Sequence, residues 1–433
     1  MAIVRPKLKF FRGKTYTLDL SDSSMATHPI RFTADSGVSE YTHGVTVNGT
    51  QGQAGATVSW NVPDSAPNNM MYYCTSHGIG MGNKIVLIND PAAVNYIGSR
   101  GWSTGGITGA SATRVGSNNI VYFSIPTQSQ ATRVENVFSD YGGSLGLQAT
   151  GTRGADCLVV GGNSSGNDAF QGINKFNCVT LGAATSHGTL TAWLGLNSDP
   201  VGSYNNDTNQ NWMNRGSMSD GDRCVFQAGY YHGGNNGVGS YHVDVGYVSI
   251  QNSGNANNHG DLTHARRGPV AANDDTRGLF ISGNTGPPTS GSNTIDYITI
   301  QTPGDATDFG DYTYHQRMAA GTSNKTIALT TGGGYSSGTV NTLYMSYVGQ
   351  NIIQTLGNAT SFGSLNTGRA RHGTVSDGTY AVSFSGFNSV TGPGDLFGYY
   401  EYQTFDTPGN GVDFSSSGPF QILDPGCGSG AAA

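Results

Sequence analysis

The segment Asp296-Tyr-Ile-Thr-Ile-Gln-Thr-Pro-Gly-Asp-Ala-Thr-Asp-Phe-Gly310 joins a strand-like run to a turn, a small residue and an aromatic one. Five relatives of this segment occur elsewhere, at Val121–Glu135, Asn174–Gly188, Gly246–Gly260, Gln350–Gly363 and Tyr400–Phe414. Alignment of the six segments places the small residue at Ala131, Ala184, Ala256, Ala306, Ala359 and Gly411, with spacings of 53, 72, 50, 53 and 52 residues. A period near 50 residues is typical of a repeat array, whose units bury their faces against one another.

The composition favours short strands over helices. Of the 433 residues, 66 are Gly and only 11% are charged, and apolar residues at helical spacing are almost absent. Short apolar runs such as Ile120–Ile125 and Leu279–Ser282 recur between turns rich in Gly, Asn and Ser. The sequence therefore predicts an all-β protein that consists of many short strands.

The repeats begin only after residue 90, where Asp90-Pro-Ala-Ala follows the last strand of an earlier series. We expect three regions on this basis. Residues 1–90 should form a small β-sandwich, because their strand-like runs are separated by Gly, Pro and Asn clusters. Residues 91–424 should form the repeat array, and residues 425–433, which are rich in Gly and Ala, a flexible C-terminal tail.

One loop in the first region carries the residue types of a metal site. Cys74, His77 and Met81 lie between two predicted strands, and His28 precedes Cys74 by 46 residues at the start of another strand. Two imidazoles, one thiolate and a weak thioether are the ligands of a blue-copper centre. The pattern therefore predicts His28, Cys74, His77 and Met81 as copper ligands. His43 is an alternative imidazole, although a surface-loop position suits it better.

The same loop resembles that of a known family. The pattern Tyr73-Cys74-x-x-His77…Gly80-Met81-x-x-Lys84-Ile85 is similar to the copper loop of plastocyanin-type cupredoxins, and His28-Pro-Ile-Arg-Phe occupies the place of their first histidine ligand. This resemblance covers residues 8–90 and implies a cupredoxin-like sandwich that binds copper. The loop departs from plastocyanins by having three residues between His77 and Met81 instead of four, as in other cupredoxins. The alternative is a metal-free relic in which Cys74 is a small buried residue.

A second motif alternates with the first in the repeat array. It is an apolar strand that ends in Gly, as in Cys157–Gly162, Gly278–Gly283 and Ala381–Gly386, and in several repeats an arginine precedes it. This order resembles kelch repeats, which form β-propellers. The resemblance implies six blades, one for each repeat, with the last blade joined to the first. Seven blades are the alternative if a degenerate unit occupies the longest interval.

In five of the six repeats, the position three residues after the small residue is aromatic or histidine. It is Phe in three repeats and His in two, and the residues are Phe309, Phe362, Phe414, His187 and His259. Because the position recurs with the repeat, we expect these side chains to pack between neighbouring blades. The alternative, a metal-binding or catalytic role for the two histidines, has no support beyond the residue type.

The longest interval, 72 residues, contains an insertion. Its surplus lies within residues 195–222, which are rich in Asn, Ser and Asp and include Tyr204 and Trp212. Long insertions on repeat scaffolds are often binding surfaces, and exposed aromatic residues beside amides suit saccharides or proteins. We therefore predict Tyr204 and Trp212 as binding residues. The alternative is a solvated loop with Trp212 packed on the propeller.

Several functional classes find no support in the sequence. The net charge is −7 without a basic block, which argues against nucleic acid as a partner. No apolar run is long enough to span a bilayer, so membrane insertion is not expected. The first residues lack the apolar core of a secretory signal. Either a signal has been removed and replaced by Met, or, as we expect, the chain is made in a host cytoplasm and assembles into a virion there without secretion. No catalytic constellation stands out, and we predict that the chain is not an enzyme.

A further resemblance joins both halves of the chain. Three segments resemble segments of large structural proteins of marine tailed bacteriophages. They are Asn293-Thr-Ile-Asp-Tyr-Ile-Thr-Ile…Gly304-Asp-Ala-Thr-Asp-Phe-Gly-Asp-Tyr312, Ser39–Thr50 and Tyr72–His77. The resemblance implies a virion protein of a capsid, tail or fibre, multimeric in the assembly. Its partners would be other virion proteins and a glycan or receptor on the host surface.

Two alternatives belong to other functional classes. The first is a copper redox protein or oxidase, which would need a second copper site of Tyr, His and Cys in the repeat array. There, Cys157, Cys178 and Cys224 lie at strand or repeat positions that favour core packing. The second is a lectin-like module that binds carbohydrate through the insertion.

Overall fold

The described secondary structure is all-β apart from one short 3-10 helix, as predicted, and the chain divides into two compact units, Met1–Tyr96 and Ile97–Ala433. The predicted boundary after residue 90 lies close to this division. The computed structural model describes residues 6–12, 14–35, 39–63, 66–67, 69–88, 99–105, 107–108, 115–116, 119–134, 137, 149–162, 172–190, 216–232, 239–285, 291–337, 340–388, 399–414 and 426–430.

The N-terminal unit contains seven described strands and one short 3-10 helix, Ser23–Thr27. The strands are β1 (Leu8–Phe11), β2 (Thr15–Asp19), β3 (Ile30–Thr33), β4 (Val45–Asn48), β5 (Thr57–Asn61), β6 (Met71–Cys74) and β7 (Gly78–Ile88). One sheet has the order β1-β7-β6-β3, with β1 parallel to β7, and the other has the order β2-β5-β4. The two sheets share one core.

That core forms because buried residues alternate along the central strands. In β5, Val58 and Trp60 point inward, and in β6, Tyr72 and Cys74 do so, which is the period of two expected of a strand with one solvated face. Trp60 is fully buried, and its Nε1 donates to the carbonyl of His43 at 3.1 Å. The imidazole of His43 is itself exposed, in agreement with a surface loop.

The C-terminal unit contains thirty described strands. In chain order they are β8 (Arg100–Thr104), β9 (Ile107–Thr108), β10 (Val115–Gly116), β11 (Ile120–Ser124), β12 (Thr132–Val134), β13 (Ala149–Arg153), β14 (Asp156–Val160), β15 (Gly172–Asn177), β16 (Thr185–Thr189), β17 (Ser217–Ser219), β18 (Arg223–Gln227), β19 (Tyr230–His232), β20 (Gly239–Tyr241), β21 (Asp244–Ser249), β22 (Asn257–Asp261), β23 (Val270–Asn273), β24 (Arg277–Gly283), β25 (Ser292–Thr299), β26 (Thr307–Gln316), β27 (Ala320–Ser323), β28 (Ile327–Thr331), β29 (Gly334–Ser337), β30 (Val340–Tyr344), β31 (Tyr347–Ile352), β32 (Thr360–Ser364), β33 (Gly373–Ser376), β34 (Tyr380–Phe384), β35 (Tyr400–Thr404), β36 (Val412–Asp413) and β37 (Gly426–Gly430).

Twenty-four of these strands form six antiparallel sheets of four. Sheets 1 to 6 have the orders β37-β8-β11-β12, β13-β14-β15-β16, β17-β18-β21-β22, β23-β24-β25-β26, β27-β28-β31-β32 and β33-β34-β35-β36. The first strands of successive sheets contact one another, and β37 contacts both β33 and β13. The C-terminal strand therefore completes sheet 1 and lies between sheets 6 and 2. This strand corrects the prediction of a flexible tail, because backbone pairing with β8 orders Gly426–Gly430.

Six hydrophobic cores lie between the six sheets, one at each junction, and the last core joins sheet 6 to sheet 1. Each core combines apolar residues from the two central strands of adjoining sheets, which explains why no sheet could bury its faces alone. Representative pairs, in order, are Trp102 with Phe176, Leu158 with Phe226, Val225 with Phe280, Leu279 with Ala328, Leu329 with Ala381, and Phe384 with Phe123.

The small residues of the repeat have a structural reason. Each lies at the end of the turn before a fourth strand. In four of the six repeats its backbone N–H donates to the fourth strand of the preceding sheet, as in Ala306 N to Asp261 O at 2.8 Å and Ala359 N to Asp311 O at 2.8 Å. The backbones approach so closely that a Cβ on Gly188 would lie 1.8 Å from the carbonyl oxygen of Gly254. The outer edge of one sheet is thus covered by the turn of the next.

Arginines at the start of second strands link neighbouring sheets through side-chain contacts. The Arg277 guanidinium lies over the Tyr297 ring at 4.6 Å and donates to the carbonyl of Ile353 in the next sheet. Arg223 repeats this contact with Tyr247 and Ile300, and Arg100 with Tyr122 and Cys178. A cation over an aromatic face and a charge-assisted hydrogen bond stabilise the same junction.

The two ends of the six sheets differ in their connections. At one end, the turn end, third and fourth strands are joined by seven residues in every sheet, namely 125–131, 178–184, 250–256, 300–306, 353–359 and 405–411. The opposite end, the loop end, contains the connections between second and third strands and those from one sheet to the next. Their lengths vary from three residues, 317–319, to twenty-seven, 190–216. Two-stranded hairpins β9–β10, β19–β20 and β29–β30 also lie there.

Candidate metal centre

Local structure brings the predicted ligand His28 to the edge strand of the first sheet. Asp22 caps the 3-10 helix by accepting from Ser24 N at 2.9 Å, and the helix ends where His28 N donates to Met25 O at 3.1 Å. The chain then enters β3, in which Ile30 is paired with Cys74. A backbone bond from Thr75 N to Pro29 O, 2.9 Å long, continues this pairing, so His28 lies beside the end of β6.

A tight turn returns His77 to the same place. The strand β6 ends at Cys74, and Gly78, which begins β7, is paired directly with it. Gly78 has φ +66°, a left-handed conformation that glycine adopts without steric cost. A Cβ on Gly82 would lie 1.9 Å from the Tyr72 carbonyl oxygen, so glycine is needed where β7 passes β6. These two glycines allow the three-residue turn that brings His77 over Cys74.

Three donor atoms converge at this point. The Nδ1 atoms of His28 and His77 are 3.1 Å apart, and Cys74 Sγ lies 3.4 Å from Nδ1 of His77 and 3.9 Å from Nδ1 of His28. The imidazole centroids are 4.6 Å apart. Within the described residues, no other group of three or more His, Cys, Asp or Glu side chains brings its ligand atoms this close.

The spacing of the donor atoms fits a single metal ion. Nitrogen and sulfur ligands that share one tetrahedral ion at about 2.0–2.3 Å are themselves about 3.3–3.8 Å apart. The separations here, 3.1, 3.4 and 3.9 Å, cover this range. One thiolate with two imidazoles is a donor set suited to copper or zinc. In the absence of an ion, the short Nδ1–Nδ1 distance permits one histidine to donate a hydrogen bond to the other.

Burial is graded across the group. Cys74 is only 3% exposed, His28 is half-buried, and His77 is exposed. The sulfur is therefore shielded by the core, whereas solvent reaches the site from the side of His77. Three of the four predicted ligands come together in this way. Met81, the fourth, lies half-buried on β7, and its role as a ligand stays a prediction.

The predicted binding residues Tyr204 and Trp212 lie outside the described residues, within the stretch 191–215. The flanking strands β16 and β17 place this stretch in the connection between sheets 2 and 3, which belongs to the loop end. The insertion therefore interrupts the array at the end where connection lengths vary. Its predicted saccharide or protein contacts stay a prediction.

The histidines of the C-terminal unit have different surroundings. His187 Nε2 donates to the carbonyl of Ser249 at 2.7 Å, and His259 Nε2 to that of Ile300 at 3.3 Å, so each side chain contacts the third strand region of the next sheet. Burial lowers the pKa of His259, and the nearby Arg223 guanidinium lowers it further. These contacts agree with the packing role that the repeat position predicts.

The cysteines of the C-terminal unit are also core residues. Cys157, Cys178 and Cys224 are fully buried, and burial raises the pKa of the Cys157 and Cys224 thiols. The pKa of Cys178 is lowered instead, because its sulfur accepts a hydrogen bond from the Cys157 thiol and Arg100 is close. None of the three belongs to a described cluster of metal-binding residues of the kind seen at Cys74.

Comparison with models of known protein families and with curated proteins gives no match to this chain. The described part of the chain has no helix that is long and apolar enough to cross a membrane.

Proposed function

We propose that the chain is a non-enzymatic structural protein of a bacteriophage virion, in which a kelch-like six-bladed β-propeller presents its loop end to a host surface or to other proteins. The observation that carries this proposal is the contrast between the two ends of the C-terminal unit. Seven-residue turns recur in all six sheets at one end, whereas the connections at the other end range from three residues to twenty-seven.

The six-bladed arrangement is supported by the cyclic order of the contacts. Each sheet shares a core with the next, and Phe123 of sheet 1 packs against Phe384, Tyr400 and Phe414 of sheet 6. In sheet 1, a strand from residues 426–430 pairs with one from residues 100–104. Joining the two ends of a propeller in one blade leaves no blade at an open edge.

The display function follows from the two ends. Repeat scaffolds tolerate insertions where they do not disturb packing, and variable loops on a rigid scaffold are where binding residues concentrate. The turn end has little such freedom, because its turns hold the neighbouring sheet through Ala306, Ala359 and their equivalents. We assign host or protein contacts to the loop end, and attachment or bridging within the virion to the N-terminal unit, which we propose to be cupredoxin-like.

A matched pair of loop variants tests the display function. Residues 195–211 are replaced by a short Gly-Ser linker at the loop end, and as a control the exposed Asn252 and Ser253 of a turn-end connection are replaced by Ala without a change of length. We expect fluorescently labelled protein to bind cells in a panel of marine bacteria, and only the loop-end variant to lose this binding. Equal loss in both variants would contradict the assignment of the loop end. Absence of the chain from purified virions by mass spectrometry would contradict the virion function.

Copper binding by the N-terminal unit is a second candidate function, which would suit a redox protein. It is favoured by the convergence of His28, Cys74 and His77, the three side chains that would hold the ion. Copper bound there would supply one-electron chemistry, and the thiolate would give an intense visible absorption band. Titration of the full chain with Cu(II) should produce this band with one equivalent of metal. A protein that stays colourless and metal-free through the titration would exclude this function.

A further inference from the structure

The hairpin that joins the first two strands of a sheet, at the turn end, has the same backbone feature in sheets 2 to 6. At one position of this hairpin φ is positive in all five sheets, between +55° and +88°. Sheets 2, 3 and 6 place glycine there, which adopts this conformation without steric cost, and the residues are Gly154, Gly221 and Gly378. Sheets 4 and 5 place Asp275 and Lys325 instead. Side chains are uncommon in this conformation, so these two residues depart from the repeat.

Sheet 4 departs from the repeat at a second position, the last residue of its first strand. This residue is Ser or Thr in sheets 2, 3, 5 and 6 but Asn273 in sheet 4. Ser219 Oγ donates to Thr152 O at 2.8 Å, and Ser323 Oγ to Asn273 O at 2.6 Å, so the hydroxyl links each sheet to the preceding one. Asn273 makes the same link through Nδ2, which donates to Ser219 O at 3.1 Å. The longer side chain keeps this contact and adds a carboxamide carbonyl.

The three residues that depart from the repeat contact one another. Lys325 Nζ lies 2.9 Å from Asn273 Oδ1 and forms an ion pair with the Asp275 carboxylate. Asn273 is only 7% exposed, and the side chains of Asp275 and Lys325 are each 22% exposed. An amine, a carboxamide and a carboxyl group are therefore held together between sheets 4 and 5, largely shielded from water.

The surroundings of Asn273 suit attack on its side-chain carbonyl. Oδ1 accepts a second hydrogen bond, from Asp275 N at 3.1 Å, so two donors polarise the C=O bond and can stabilise an oxyanion. Burial raises the pKa of Asp275, whereas the Lys325 ammonium opposes this rise and the Asp220 and Asp274 carboxylates add to it. A carboxyl group in such a place can take a proton from the ammonium and leave the neutral amine, which is the nucleophilic form.

We propose that Lys325 and Asn273 form an isopeptide bond that joins sheet 4 to sheet 5, with Asp275 as the catalytic residue that transfers protons. The Lys325 ammonium gives a proton to the Asp275 carboxylate, and the neutral Nζ attacks Asn273 Cγ. Asp275 passes this proton to Nδ2, which leaves as ammonia, and receives a second proton from Nζ. The Cγ–Nζ bond forms as the Cγ–Nδ2 bond breaks, so one ammonium ion is released overall and no oxidant or cofactor is required.

The fold supplies what such a reaction needs. Side chains held in contact react as one molecule, without the entropy cost of bringing two reactants together. The product would link two hairpins that are 50 residues apart in the chain, from Asp275 to Lys325, and restrict the unfolded chain as a disulfide does. Bond formation depends on these three side chains and not on the display function, which concerns the opposite end of the sheets.

The intact mass of the purified full chain, measured after prolonged incubation, tests the proposal. We expect a mass lower than the sequence requires by one ammonia molecule. Trypsin should then fail to cleave after Lys325, so that residues 268–277 appear joined to residues 318–369 in one branched peptide. Lys325→Arg should keep the full mass of its own sequence, because a guanidinium stays protonated and does not attack. Asp275→Asn should slow the loss of ammonia at least about a hundredfold.

The matched control is Lys175→Arg. Lys175 also forms an ion pair, with Asp156, but donates to the backbone carbonyl of Ile250 and not to a carboxamide. This variant should lose ammonia as the unaltered chain does. Thermal unfolding should show a cooperative transition in every variant, with a lower midpoint in Lys325→Arg because the covalent link is missing.

Two results would overturn the proposal. The first is an unaltered chain that retains its full mass and yields the separate tryptic peptides. The second is a loss of ammonia that persists in Lys325→Arg, which would indicate that Asn273 cyclises onto its own backbone. That reaction also releases ammonia, but it leaves Lys325 open to trypsin.

Discussion

In the N-terminal unit, His28 and His77 turn Nδ1 towards each other and towards a buried thiol, whereas in the C-terminal unit His187 and His259 each donate Nε2 to a backbone carbonyl of the next sheet. The first pair lies outside any repeat. The second pair occupies the position at which other repeats have phenylalanine. The two histidines at the repeat position are therefore explained by packing between sheets, whereas His28 and His77, which lie outside the repeats, form the candidate metal site.

The arginines of the C-terminal unit extend this comparison. Arg266 and Asp296 form a buried ion pair in sheet 4, and the register of the strands places Gln316 and Gly349 at the corresponding positions in sheet 5. There, a Cβ on Gly349 would lie 2.6 Å from the ring of Tyr312, so the tyrosine fills the space of the missing carboxylate. Two different solutions thus stabilise equivalent junctions, and residues at repeat positions should be exchangeable as sets.

The largest effect is expected from breaking one such set. Asp296→Ala should lower the free energy of unfolding by about 3–5 kcal/mol, because it leaves the fully buried Arg266 without its carboxylate. The triple variant Leu262→Tyr/Arg266→Gln/Asp296→Gly copies sheet 5 and should lose clearly less, as measured by chemical denaturation. A triple variant less stable than the single one would contradict the exchange of sets.

The next prediction compares Cys74 of the N-terminal unit with Cys224 of the C-terminal unit, for which replacement by Ser should affect different properties. Cys74→Ser should weaken copper or zinc binding by more than about a hundredfold, since removal of a ligand exceeds the effect of losing a supporting contact. Its matched control, Cys224→Ser, should leave metal binding unchanged and lower the free energy of unfolding by about 1–3 kcal/mol, because it places a hydroxyl in an apolar core. Metal titration and thermal unfolding of both variants measure the two effects. Equal metal affinity in the two variants would contradict the assignment of Cys74 as a ligand and Cys224 as a core residue.

The smallest effect concerns pH. Because burial lowers the pKa of His259 below the ordinary value of 6.5, the unfolded chain takes up a proton that the folded chain does not as the pH falls below 6.5. Stability should therefore decline as the pH falls from 7 to 5, and His259→Phe should make this decline shallower. His264→Gln, which removes an imidazole that lies at the surface, serves as the control. A His259→Phe profile identical to that of the unaltered chain would exclude this contribution.

The all-β class and the six repeats were predictable because both depend on local patterns. The small residues of the repeat, such as Ala306, recur wherever one backbone must approach another. This constraint produces a periodic pattern in the sequence. The strand Gly426–Gly430 leaves no trace, because its residues have low strand propensity and the pairing with β8 alone orders them. Buried arginines are equally hidden, since 30 residues separate Arg266 from Asp296 and their shared burial is a property of the fold.

The group of His28, Cys74 and His77 was predictable for a different reason. His28, Cys74 and His77 were identified by their types and by a resemblance, which supply the ligand set without any distances. The convergence of the three atoms depends on the pairing of Ile30 with Cys74 and on the conformation of Gly78, both of which are tertiary features. For Tyr204 and Trp212, no regular pattern in the sequence fixes a partner, and their predicted role still depends on composition alone.

The pairing of β37 with β8 has a consequence for the order of synthesis. A ribosome makes β8, β11 and β12 of sheet 1 early but reaches β37 only after all the other sheets have been translated. Until then β8 is an open edge strand, because sheet 1 lacks its first strand. Sheets 2 to 6 can begin to fold while the chain is still growing, but completion of sheet 1 must follow release of residues 426–430 from the exit tunnel. A contact between such distant parts of the chain is slow to form, so this step should limit the rate at which the unit matures.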